Sequence, residues 1–91
     1  MKLYLISYDI DDNELDFIAS LKNLGDTCNY VKSGWFLRTD EDNDVIYRKL
    51  QPFFAEGNGH LLVAKVDESS MSGWLSSITI DWLMKGRNND N

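Results

Sequence analysis

The chain has one cysteine, one histidine and one proline, and each scarcity removes a class of function. Cys28 alone cannot form an intrachain disulfide. It sits in an apolar stretch with no helix start or cationic cluster beside it, which marks it as a small core residue rather than a reactive thiol. His60 alone excludes a multi-histidine metal site and leaves no Ser-His or Cys-His pair with a visible partner. No apolar run approaches the ~18 residues that a membrane span requires, so no membrane association is expected. Positive charge is also short. Fifteen acidic residues against nine basic ones give a formal charge of −6, the wrong sign for gripping phosphates through a general field. A nucleic-acid partner would need a local basic patch, whereas a basic protein partner suits the overall charge.

With 43% hydrophobic and 26% charged residues, no repeat and no low-complexity stretch, the composition is that of a folded domain. A single domain is expected over residues 1–86, followed by a polar, disordered tail over 87–91. Met1-Lys2-Leu3 enters a strand at once, without a charged leader or small-residue cleavage site, so a cytoplasmic protein is expected.

Residues 3 to 9 read as a strand with two apolar faces, Leu3, Leu5, Ser7, Asp9 and Tyr4, Ile6, Tyr8. A sheet solvated on one side would alternate cleanly, so this strand is expected to be central and covered on both sides. Asp11 or Asp12 can cap a helix over about 12–24, with Leu15, Phe17, Ile18, Leu21 and Leu24 as its apolar stripe and Gly25 as its stop. Strands follow near 27–32 and 35–39, joined by a tight hairpin at Ser33-Gly34. A second helix is expected near 43–54, kinked or shortened by Pro52, and a fourth strand near 60–66 after the Gly57-Asn58-Gly59 turn. The order predicts an α+β, ferredoxin-like βαββαβ fold: an antiparallel four-stranded sheet with both helices on one face. Residues 74–84 form an apolar C-terminal extension that can cover the other face or cross to a second subunit.

Asp9 closes the first strand and Asp11 follows it. Carboxylates at a strand end can hold a hard divalent cation through oxygen. The same residues also serve a loop and helix cap. Asp9 to Asn13 and Asp40 to Asp44 open like calcium loops, but Glu14 and Val45 replace the sixth-position glycine, and Ser20 and Gln51 the twelfth-position glutamate. Lys32 to Arg38 echoes an RNA-stacking motif through Trp35 and Phe36, set against core or dimer packing for the same rings.

The residues Tyr8-Asp9-Ile10-Asp11, the hairpin into Trp35-Phe36 and the chain length resemble the CRISPR-associated protein 2 family and its relatives, the virulence-associated protein D ribonucleases. Ser72-Gly73-Trp74 and Asp81-Trp82-Leu83 are similar to segments of the small SinR-like members. The resemblance implies the ferredoxin-like fold and a twofold dimer in which Asp9 faces its twin and, where nuclease activity exists, binds magnesium.

From the residues and the resemblance together, a homodimer is expected on the sheet and the 74–84 segment, with Tyr4, Tyr8, Trp35, Trp74 and Trp82 as interface aromatics. The expected function is a regulatory binding module that docks on a basic partner protein and needs no cofactor to fold. The alternative is a magnesium-dependent endonuclease acting on RNA or DNA through paired Asp9.

Overall fold

The structure, a computed structural model, describes residues 1–89. Its elements are β1 (Lys2–Ile10), α1 (Glu14–Lys22), β2 (Asp26–Val31), β3 (Gly34–Thr39), α2 (Asn43–Leu50), β4 (Gly59–Val66) and α3 (Ser77–Asn89). The strands form one sheet in the order β2-β3-β1-β4, every neighbouring pair antiparallel, which is the ferredoxin-like arrangement. β1 is central between β3 and β4, as its two apolar faces require.

One face carries Tyr4, Ile6, Tyr8, Trp35 and Leu37, and α1 and α2 seal it with Phe17, Leu21, Ile46 and Leu50. Phe17 is the hub of an aromatic cluster, 4.6 Å from the Tyr8 ring and edge-on to Phe53 and Phe54 at 6.0 and 5.2 Å. The opposite face carries Leu3, Cys28 and Phe36, against which Met71, Trp82 and Leu83 pack. The C-terminal extension is therefore a third helix that covers part of the outer face within its own chain. It takes in 87–89 of the polar end expected at 87–91, and 90–91 lie outside the described residues.

Three local expectations are corrected. The first helix starts at Glu14, because Asn13 occupies the cap position in the left-handed region (φ 67°), while the Asp12 side chain accepts from the Asn13 N–H. Within the expected apolar stripe Leu15 points to solvent, and Phe17 and Leu21 are the buried members. The second helix, expected to run to about 54, ends at Leu50; the shortening by Pro52 is as expected, and the proline opens a 3-10 segment, Gln51–Gly57, that delivers Phe53 and Phe54 to the core.

Candidate functional site

β1 delivers Asp9 to the outer face of the sheet at the strand end, opposite His60 on β4. Both are exposed, and no ion pair joins them. Close backbone packing fixes this corner. Gly59 has φ +122°, and a Cβ there would run into the Asp9 carbonyl. The Asp11 N–H donates to the Asn58 carbonyl at 3.3 Å, and the Asn58 amide donates to the carbonyls of Asp12 and Phe53, both at 2.8 Å. Asn58 thus ties the β1–α1 loop to the turn before β4, a role that sequence reasoning gave only to the turn itself.

Asp9, Asp11, Asp12, Glu14 and Asp16, spread from the end of β1 to the first turn of α1, are all exposed. Glu14 accepts a 2.8 Å hydrogen bond from the Tyr8 hydroxyl, and burial first, then that bond, raises the Tyr8 phenol above its ordinary value. Asp9, Asp11, Asp12 and Asp16 enter no ion pair among the described residues. The second acidic loop differs. Lys2 Nζ lies 2.7 Å from Asp42 Oδ1 and donates to the Asp40 carbonyl at 3.0 Å, which holds the Asp42 carboxyl below its ordinary value, and Arg48 pairs with Asp44 at 3.4 Å. The two acidic loops have similar sequences but different electrostatics.

As metal ligands, Asp9 and Asp11 have few companions. Among the described residues no group of three or more His, Cys, Asp or Glu side chains gathers as a cation site, so phosphate oxygens or a second chain would have to complete one.

The expected interface aromatics separate. Tyr4, Tyr8 and Trp35 are buried in the chain's own core under α1 and α2, with the Tyr4 hydroxyl donating to the Glu41 carbonyl at 2.9 Å. A strand-face aromatic reads alike whether a helix or a second subunit covers it, and here a helix does. Trp82 stacks over Phe36 at 6.3 Å as part of the α3 lid. Trp74 alone of the five is fully presented, 98% exposed.

Sequence reasoning missed Arg38. It lies in an apolar strand at a position facing the outer side, and the structure buries it at 4% exposure, paired with Glu68 at 3.1 Å. Cys28 is buried as expected, its Sγ 3.9 Å from Thr79 Oγ1 on α3. No helix among the described residues is long and apolar enough to cross a membrane.

Compared with family models, with curated proteins and with solved structures, the chain gives no match to any of them.

Proposed function

We propose that the chain is a small acidic binding module, homodimeric and similar in build to the CRISPR-associated protein 2 family, that docks on a basic partner protein through the carboxylates closing β1 and opening α1. One observation carries this reading: Asp9, Asp11, Asp12 and Asp16 are exposed and enter no ion pair among the described residues, whereas in the loop from Asp40 to Asp44 the N-terminal amine pairs with Asp40, Lys2 with Asp42 and Arg48 with Asp44. Negative charge left uncompensated at one end of an acidic domain is a directed field, and it attracts lysine- or arginine-rich surfaces. Each exposed pair contributes only ~0.2–1 kcal/mol, so several must act together and their sum is sensitive to salt. A lone, buried cysteine is compatible with the reducing cytoplasm, which we take as its location.

Anisotropy of a labelled arginine-rich peptide tests this. Binding should weaken steadily as salt is raised and fall about tenfold or more when Asp9, Asp11, Asp12 and Asp16 all become Asn. Undiminished binding by that variant contradicts the reading.

The second reading is a magnesium-dependent endonuclease acting on RNA or DNA. It is favoured by the placement of Asp9 on the outer face at the end of the central strand, beside a corner where Leu62 remains 57% exposed. Two such corners paired about a twofold axis would set the Asp9 carboxylates face to face. Asp9, with Asp11, would then hold magnesium, which supplies an activated water and charge stabilisation at a phosphodiester.

A further inference from the structure

Between α3 and the loop that precedes it lies an open cavity of about 530 Å³, floored by Tyr30 and Phe36 and walled by Met71, Leu75, Ile80 and Met84. Its size falls in the range, roughly 300–1,000 Å³, that accommodates compact organic groups, and its lining is mainly apolar. Gly73 and Leu75 both border it, so the residue between them, Trp74, springs from its rim. Yet the Trp74 side chain is 98% exposed and makes no ring contact or hydrogen bond among the described residues. Indole is the largest apolar side chain and is enriched at the centres of protein interfaces.

We propose that Trp74 and this cavity form a reciprocal contact between two copies of the chain, each subunit's Trp74 filling the other's cavity. The proposal rests on the homodimeric part of the function proposed above and locates its interface.

Two observations identify the occupant as a second copy. Knob and hole belong to one short segment, so a single twofold axis beside residue 74 brings both into register at once, as an isologous interface demands. Exposed Ile80 and Met84, which also wall the cavity, continue the patch along α3, and with Trp74 they present on the order of 400 Å² of apolar surface per copy, about half of the ~800 Å² per partner in a standard interface. Asp9 does not border this cavity, so the interface leaves the acidic corner open for a different partner.

Sedimentation equilibrium of the full chain tests the proposal. The unmodified protein should be a dimer at micromolar concentration, and Trp74→Ala, at a site that contributes nothing to the chain's own core, should raise the dimer dissociation constant more than about tenfold with an unchanged circular dichroism spectrum. A dimer indifferent to Trp74→Ala overturns this interface while leaving the homodimer standing. A protein that stays monomeric to high micromolar concentration overturns both, and the peptide titration then tests the acidic corner by itself.

Discussion

The guanidinium carbon of Arg38 lies 4.4 Å from the centre of the Trp82 ring. From the same position Arg38 donates to the Trp82 and Leu83 carbonyls at 3.4 and 3.3 Å and pairs with Glu68 at 3.1 Å. One buried side chain therefore joins β3, the loop after β4 and the middle of α3. A buried cation is tolerated only when its donors are engaged, and removing one member of such a pair costs about 3–5 kcal/mol. Arg38 fixes where α3 lies on the sheet more tightly than the apolar contacts of Met71 and Leu83 alone would do.

Gly86 gives the guanidinium its space, because a Cβ there would run into Arg38. Replacing glycine by alanine inside a helix ordinarily stabilises by about 0.5–1 kcal/mol. At Gly86 the opposite sign is expected, a loss of about 1–3 kcal/mol from overpacking. Urea unfolding of Gly86→Ala measures it, and the penalty should shrink in an Arg38→Ala background.

The two C-terminal tryptophans should behave oppositely. Trp82→Ala removes the stack on Phe36 and the contact with Arg38, and should destabilise the monomer by about 2–4 kcal/mol. Trp74→Ala should change monomer stability by less than about 0.5 kcal/mol, because its side chain is in solvent. Denaturant midpoints measured at concentrations low enough to dissociate any dimer separate the two effects.

Stability should fall at high pH. Burial raises the Tyr4 and Tyr8 phenols above the ordinary value of 10.0, and the hydrogen bond to Glu14 adds to the effect at Tyr8. With the folded value above the unfolded one, this contribution is fully present below pH 10.0 and is lost as the pH climbs through the folded values. Melting temperatures followed upward from pH 8 should turn down beyond pH 10, and Tyr4→Phe with Tyr8→Phe should flatten that limb.

Asp9→Asn should leave the fold in place. The side chain is exposed, and the close approach at this corner is made by the Asp9 backbone carbonyl against Gly59. A stability change within about 1 kcal/mol is expected by chemical denaturation.

Strand and helix order was legible because the apolar run of β1 and the turn residues around 33–34 and 57–59 act locally. Which face of β1 the two helices take was not. Apolar alternation at Tyr4, Ile6 and Tyr8 records that a face is buried, and α1, α2 or a second subunit would leave the same pattern. The inward side of α3 disguised itself further, since Thr79 and Gly86 occupy positions where a lid would be expected to place large apolar groups. The reason lies elsewhere in the chain: Cys28 meets Thr79, and Arg38 needs the room at Gly86. The acidic corner was legible as a concentration of carboxylates, but its difference from the Asp40 to Asp44 loop depends on Lys2, distant in sequence and brought close by the β1–β3 pairing of Lys2 with Thr39.

A single preparation, assayed side by side for salt-sensitive binding to an arginine-rich peptide and for cleavage of labelled RNA and DNA with magnesium or with chelator, tests the central claim most directly. The account predicts peptide binding that depends on the carboxylates around Asp9 and Asp16, and no cleavage that magnesium promotes. Cleavage that requires magnesium and disappears in Asp9→Asn, with no peptide binding, would contradict it and establish the endonuclease in its place.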